Sequence, residues 1–228
     1  MQFSFSWLPT FNSGLLFRMI RPWKTIRSAP VGDFRIFKIR ADICVNPRTG
    51  REHEFFILDS VNWVNVIAVT PDQKLVMVEQ YRHGSATVEL EIPGGMMDPH
   101  ETDPVATAVR ELREETGYAG ENARLLGRVH SNPAILSNLT CTVLIENCRL
   151  RHGVEFDQGE DLETRLLPVA EIPKLVADEK ISHSLVVAAL YHFDLWQRGL
   201  KQPGPKLPGH PQKILARTPP APRRARPS

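Results

Sequence analysis

The first third of the chain alternates apolar and polar residues in the way that is typical of β-strands. From Phe34 to Glu79 the runs FRIFKIRADICV, EFFILD, WVNVIAVT and LVMVEQY are rich in β-branched and aromatic residues. Turn residues separate these runs, with Gly50 in the segment 48–52 and a Pro-Asp pair in the segment 70–74. The pattern predicts successive strands, and it predicts that the runs on either side of 70–74 form a hairpin.

A change of period after this region predicts a helix in the middle of the chain. Asp103 suits the N-cap, Pro104 suits the first helical position, and Gly117 suits the C-terminal stop. The runs RLLGRVH and LTCTVLIEN then return to a strand pattern, and SHSLVVAALYHFDLWQRG suits a final helix of about 15 residues. Many strands with one inserted and one terminal helix indicate an α+β fold, in which helices enclose a mixed sheet.

The predicted middle helix has an apolar side and an acidic side next to each other. Positions spaced by three and four residues share a face of a helix. The apolar side consists of Val105, Ala108, Val109 and Leu112. The acidic side consists of Glu111, Glu114 and Glu115. Because the acidic side borders the apolar stripe, we expect these carboxylates at the rim of a cleft.

Three carboxylates at the rim of a core repel one another by about 1 kcal/mol per close pair even in water. A divalent cation removes this repulsion, and Mg²⁺ prefers oxygen ligands and bridges to phosphate oxygens. The glycine pair Gly94 and Gly95 precedes the helix and lets backbone groups approach closely. Together these features favour attack by water at a phosphoryl group. The alternative is an exposed acidic face, supported by an Arg110–Glu114 pair at i,i+4.

Composition and charge exclude several classes of protein. The chain has 228 residues, of which 42% are hydrophobic and 24% charged, as in globular proteins. No run of about 18 uncharged apolar residues is present, so we expect no membrane span. Three cysteines without CxxC spacing indicate reduced thiols and a cytoplasmic protein.

The two ends of the chain differ from its middle. We expect residues 1–30 to be a partly disordered N-terminal extension, which lacks the basic leader and cleavage site of a signal peptide. Residues 31–199 form the predicted domain, and 200–228 form a disordered, basic, proline-rich tail. Because all of the excess positive charge lies in the tail, the body is not a dedicated nucleic-acid binder. Weak contact of the tail with nucleic acid or an acidic partner stays an alternative.

The segment from Gly95 to Tyr118 resembles the Nudix box, G-x5-E-x7-R-E-U-x-E-E-x-G-U, where U is a bulky apolar residue. The matching residues are Gly95, Glu101, Arg110, Glu111, Leu112, Glu114, Glu115, Gly117 and Tyr118. One departure is that eight residues, and not seven, separate Glu101 from Arg110. We expect the extra residue to bulge where the loop meets the helix. The resemblance extends over roughly residues 31–196.

This resemblance implies a fold, a reaction and roles for particular residues. The Nudix fold is an α/β/α sandwich around a mixed sheet, and the reaction is hydrolysis of a nucleoside diphosphate linked to another group, with Mg²⁺ or Mn²⁺. By resemblance, Glu111 and Glu115 bind the metal together with the carbonyl of Gly94. Glu114 assists them, and Arg110 orients the carboxylates.

The segment VMVEQYRHG…ELEIPGG is similar to ADP-ribose pyrophosphatases and related nucleotide-sugar hydrolases. Pro133 lies 16 residues after Gly117, as in that group. By this similarity Arg82, Glu91 and Gly95 contact the substrate, although a surface ion pair or a structural contact near the cleft is the alternative for Arg82 and Glu91. The group's SPG loop is SNPAILSNLT here and lacks its acid. The later loop DQGEDLE offers Glu160 as a further catalytic glutamate, with an exposed loop acid as the alternative.

The sequence therefore predicts a cytoplasmic, metal-dependent pyrophosphohydrolase that acts on ADP-ribose or another nucleotide sugar. Members of the group it resembles imply a homodimer with exchanged N-terminal strands, and no membrane partner. Two alternatives remain. The first is a Nudix-fold sensor that binds a nucleotide without turnover, and the second is a nucleic-acid-associated protein that uses the basic tail.

Overall fold

The computed structural model describes residues 19–156 and 158–201, which divide into two compact units. The first unit contains the described residues up to Ser60 together with 134–137. The second contains 61–133 and the described residues from Asn138 onward. Residues 1–18 and 202–228 lie outside the described part, so the disorder expected at both ends of the chain stays a prediction.

The first unit is built around an antiparallel sheet of order β1-β2-β3. Its strands are β1 (Lys24–Asp33), β2 (Lys38–Val45) and β3 (Glu52–Asp59). The predicted turn between β2 and β3 is present, with Gly50 at φ 70° and the Asn46 side chain accepting from the Arg48 amide. Strand β1 begins inside residues 1–30, which the sequence pattern assigns to an extension. Pairing with β2 gives residues 24–30 a regular structure that their own composition does not indicate.

Apolar side chains remain exposed on both faces of this sheet. Phe55 is 40% exposed and Phe56, the next residue on the opposite face, is 52% exposed. The Trp23 ring packs edge-on against His53 and Phe55 and is itself 39% exposed. Large exposed apolar groups that occur together on a sheet are typical of an interaction surface.

The second unit contains two sheets within the described residues. The mixed sheet has the order β7-β4-β9-β8 and consists of β7 (Gly94–Met96), β4 (Trp63–Ala68), β9 (Leu139–Leu150) and β8 (Tyr118–His130). Strands β4 and β9 are parallel, and the other pairs are antiparallel. The second sheet is antiparallel and consists of β10 (Leu162–Pro168), β5 (Lys74–Arg82) and β6 (Thr87–Glu91).

The described residues contain three helices, α1 (Pro104–Thr116), α2 (Ile172–Ala177), preceded by a 3₁₀ turn, and α3 (Ser184–Gln197). Helices α1 and α3 begin and end close to the predicted positions, whereas α2 was not predicted. The Asp103 side chain accepts from the Val105 amide at 3.0 Å, which caps α1 as predicted. Gly117 has φ 71° and donates to the Arg113 carbonyl, so it ends the helix as predicted.

Strand β4 shows why the second unit is a sandwich. Val64, Val66 and Ala68 point to one face and pack in a cluster with residues of α1. Ile67 points to the other face and packs in a cluster with residues of α3. Because β4 is buried on both faces, one helix layer must cover each side of the mixed sheet. The predicted α+β class and helix-enclosed sheet are confirmed.

Two predictions from the hydrophobic pattern are wrong. Strands β4 and β5 do not form a hairpin but lie in different sheets, joined by a single bridge between Val69 and Leu75. The reason is that β7 and β9 already occupy the two edges of β4. The second wrong prediction is that Val109 belongs to the buried side of α1, since Val109 is 45% exposed. The buried side includes Glu111 and Glu115 instead.

No helix among the described residues is long and apolar enough to cross a membrane. All three cysteines are free thiols, and Cys141 and Cys148 are buried. Burial raises the pKa of the Cys148 thiol to about 12, so this side chain stays protonated.

We expect the replacement Leu112→Ala to lower the free energy of unfolding by about 2–5 kcal/mol, because Leu112 is 1% exposed and its loss leaves a cavity under α1. The matched control is Val109→Ala on the same helix, which should change it by less than about 0.5 kcal/mol because that side chain is exposed. Urea denaturation measures both, and equal effects would contradict the assigned faces of α1.

Candidate active site

Helix α1 places two glutamates one turn apart at the edge of the core. Glu111 is 7% exposed and Glu115 is 3% exposed, and the side chain of Glu114 is about a quarter exposed. Positions i and i+4 lie on one face, so the first two carboxylates point in the same direction. The acidic face is therefore partly buried, and the alternative of a fully exposed acidic helix surface does not hold.

The glycine pair of β7 lies directly against these carboxylates. The Gly94 amide donates to the Glu115 carboxylate at 3.0 Å. A Cβ at Gly94 would lie 2.2 Å from the Val64 carbonyl oxygen, and a Cβ at Gly95 would lie 2.7 Å from the Glu111 carboxylate. Only a residue without a side chain allows both β4 and α1 to approach this closely.

Arg110 links the carboxylates around the N-terminal half of the acidic face. Its guanidinium lies 3.0 Å from Glu111, 2.9 Å from Glu114 and 3.5 Å from Glu101. Glu101 also accepts from the Asp98 amide at 2.7 Å, so the loop before α1 is folded back onto itself. The extra residue between Glu101 and Arg110 therefore does not prevent their contact.

The site holds more negative charge than its own cations neutralise. Burial raises the pKa of Glu111 to about 7, an effect that Arg110 opposes and the charges of Glu114 and Glu160 increase. Burial likewise raises the pKa of Glu115 to about 8, with the charges of Glu111 and Glu160 acting in the same direction. Glu160 thus lies close enough to act on both buried carboxylates. A bound cation would stabilise their charged forms.

The donor atoms suit a hard divalent ion. Within residues 19–156 and 158–201, no three acidic, histidine or cysteine side chains already surround a common point. The two buried carboxylates are nevertheless oxygen ligands one helical turn apart, and the backbone of Gly94 packs against one of them. Oxygen ligands supplied by one or two carboxylates, with water filling the remaining positions, are what Mg²⁺ takes. The chemistry of the residues present fits Mg²⁺ or Mn²⁺.

Arg82 and Glu91 form a second charged pair in this unit. Nε and Nη2 of Arg82 each donate to one oxygen of Glu91 at 2.8 Å, while Glu91 itself is 2% exposed. The bond to Glu91, together with the charges of Glu115 and Glu89, holds the pKa of Arg82 above its usual range. A bidentate ion pair of this kind fixes the plane of the guanidinium group.

His183 lies beside this pair and was not singled out by the sequence pattern. Its Nδ1 is 4.0 Å from a Glu91 oxygen and is buried without a hydrogen-bond partner. It is the residue that precedes α3, and a lone histidine in that position carries no spacing signal. Only the packing of α3 near β6 brings it to Glu91.

Comparison with known proteins gives one family and several relatives. Residues 61–189 match the model of the NUDIX domain. The chain is 30% identical to the methanol dehydrogenase activator of Bacillus methanolicus over 179 residues, 78% of this chain and 95% of that protein. It is 29% identical to the ADP-ribose pyrophosphatase of Bacillus subtilis over 133 residues, 58% of this chain and 71% of that protein. A solved structure titled as an ADP compounds hydrolase matches with a TM-score of 0.70 and 21% identity, covering 80% of this chain and 97% of that one.

We expect the metal-free protein to lose stability as the pH rises from about 5 to about 8. Both buried glutamates have pKa values above their usual 4.5, so the folded state binds more protons than the unfolded state in this window. The free energy of unfolding is therefore highest at a pH below the glutamate pKa of the unfolded chain. It falls until the pH exceeds the pKa values of the two glutamates in the folded state.

Urea denaturation in EDTA at several pH values measures this dependence. Glu115→Gln removes one of the two groups, so the decline should be smaller in that variant, and saturating Mg²⁺ should reduce it in the unaltered protein. A variant that declines as steeply as the unaltered protein would contradict the assignment.

Proposed function

The chain belongs to the Nudix family and is a Nudix hydrolase of phosphorus anhydrides, and we propose that it cleaves the diphosphate of a nucleoside diphosphate linked to a second group. The substrate we propose is ADP-ribose or another nucleotide sugar, which relatives named ADP-ribose pyrophosphatase and ADP-sugar pyrophosphatase support. The observation that carries the proposal is the pair of buried carboxylates, Glu111 and Glu115, packed on the Gly94–Gly95 backbone.

Glu111 and Glu115, with the carbonyl of Gly94, would hold Mg²⁺ or Mn²⁺. When bound, such an ion would neutralise these carboxylates and the charge of a diphosphate. Glu114 would assist from the same helix. Arg110, which contacts Glu111 and Glu114, would orient their carboxylates.

Arg82 would bind the substrate. Of the five N–H groups of an arginine, the pair with Glu91 uses two, and the other three can donate to phosphate oxygens. Since both Glu91 oxygens accept from Arg82, we propose that Glu91 contributes by holding this arginine in place. Gly95, which bears no side chain, would let a phosphate approach the backbone beside Glu111.

We propose that Glu160 accepts the proton of the attacking water. Its charge raises the pKa of both Glu111 and Glu115, which supports a position close to these two carboxylates. A general base must reach the water that it deprotonates, and a carboxylate in this position can do so. No side-chain nucleophile is required for hydrolysis of this kind.

The proposed activity is tested with a panel of nucleoside diphosphate derivatives in Mg²⁺. We expect turnover of ADP-ribose or a nucleotide sugar by the unaltered protein, and a loss of several orders of magnitude for Glu115→Gln, which lacks a charged ligand. The matched control is Glu121→Gln, an exposed glutamate of β8 that contacts Asn147. Retained activity in Glu115→Gln would refute its role, and binding without turnover in the unaltered protein would favour a sensor.

We also propose that the protein is a homodimer that associates through the sheet β1-β2-β3. The support is the exposed apolar surface of that sheet, which includes Trp23, Phe55 and Phe56. We place the protein in the cytoplasm, in keeping with its three free thiols.

Light scattering during gel filtration measures the oligomeric state. We expect twice the mass of one chain for the unaltered protein and a shift toward one chain for Phe56→Glu, because a charge in an apolar interface costs free energy. The control Glu54→Gln lies on the same face of β3 and should stay dimeric. A single-chain mass for the unaltered protein would refute the proposal.

A further inference from the structure

The segment between β9 and β10 has no regular structure, yet it is bonded to the C-terminal end of α1. We call residues 151–156 and 158–161 the acidic loop. The Gly117 carbonyl accepts from the amides of Arg151 and His152, each at 3.0 Å. The Glu155 amide donates to the Glu114 carbonyl at 2.8 Å. Three backbone hydrogen bonds therefore attach this loop to one helix end.

These bonds follow from the geometry of a helix terminus. The last carbonyls of an α-helix have no partner within the helix and need donors from elsewhere. The Glu114 carbonyl belongs to the last turn of α1, and the Gly117 carbonyl lies just beyond it, so the loop amides supply the missing donors. Position 117 also requires glycine, since a Cβ there would lie 2.3 Å from the His152 carbonyl oxygen.

Electrostatic repulsion opposes the attachment of the acidic loop to α1. The loop brings Glu155 and Glu160 toward a helix that already carries Glu111, Glu114 and Glu115, and like charges repel. Arg113 counteracts this repulsion between helix and loop. Its Nη2 lies 3.5 Å from the Glu114 carboxylate and 3.3 Å from the Glu155 carboxylate, so one guanidinium bridges them.

We propose that Arg113 and Gly117 are positioning residues that hold the acidic loop on α1, and that this attachment keeps Glu160 near Glu111 and Glu115. Arg113 occupies the variable position of the motif and touches neither of the two buried carboxylates in the contacts described above. Its effect on the reaction would pass through Glu155 and the loop. The catalytic part of this inference rests on the role proposed for Glu160.

Hydrogen exchange at the Glu155 amide reports attachment of the loop without any assay of activity. We expect this amide to be protected in the unaltered protein. Arg113→Gln should speed its exchange about two- to fivefold, as expected for loss of an exposed ion pair. Gly117→Ala should speed it more than about tenfold, because backbone strain and the clash with His152 add together.

Two control variants separate attachment of the loop from general destabilisation. Gly199→Ala alters a helix-terminal glycine with φ 70°, where an added Cβ would meet no atom within 4 Å, so it reproduces the strain without the clash. Arg198→Gln removes a comparably exposed pair with Asp194. Neither should change exchange at Glu155. A Glu155 amide that is unprotected in the unaltered protein, or unchanged in Gly117→Ala, would overturn the proposal.

Steady-state kinetics of a charge-reversal variant, alone and combined with the opposite reversal in its partner residue, test the positioning of Glu160. Arg113→Glu should lower kcat about tenfold or more with little change in KM, because it adds repulsion at the loop but leaves Arg82 and the metal ligands intact. Combining it with Glu155→Arg should restore kcat to within about threefold. An unchanged kcat in Arg113→Glu, or no rescue by the second change, would overturn the positioning role.

A further variant distinguishes failure of this inference from failure of the proposed function. Glu160→Gln should lower kcat at least as much as Arg113→Glu and leave exchange at Glu155 protected. If Glu160→Gln keeps full activity while Glu115→Gln does not, Glu160 is not the base and the catalytic consequence of attachment is refuted. If neither variant loses activity, the proposed metal chemistry itself fails.

Discussion

Two carboxylates packed against a backbone segment without side chains constrain most of the second unit. The contact between Glu115 and the Gly94 amide fixes the distance from α1 to β7, and the place of Gly94 beside Val64 fixes β7 on β4. Burial makes the negative charge of this helix face costly, as the raised pKa values of both glutamates show. A positively charged group beside the two carboxylates would offset this cost in free energy.

The remaining parts of the fold serve to hold this contact. Strand β4 is buried on both faces, so α1 packs closely on one side of the mixed sheet and α3 on the other. Arg110 pairs the carboxylates on the helix, and Arg82 is fixed by a buried glutamate on β6. Both cations are therefore already paired with carboxylates, and in the proposed function a metal ion would offset the remaining negative charge.

Local signals in the sequence predicted the local structure well. The cap at Asp103 and the stop at Gly117 are side-chain and backbone preferences that act within one turn of helix, so they can be read without the fold. The hairpin predicted for β4 and β5 is absent, and local signals could not show this. The two runs have the right pattern and turn, but the partners that occupy both edges of β4 come from other parts of the chain.

The sequence by itself determined the helix, its acidic face, the glycine pair and hence the family, because these depend on residue type and spacing over about 25 positions. It left open whether the face was buried, and Val109 was assigned to the wrong side. Only the tertiary structure decided that Glu91 is committed to Arg82, that His183 lies beside them, and that the acidic loop is bonded to the end of α1. These contacts join residues far apart in the chain, and spacing carries no information about such pairs.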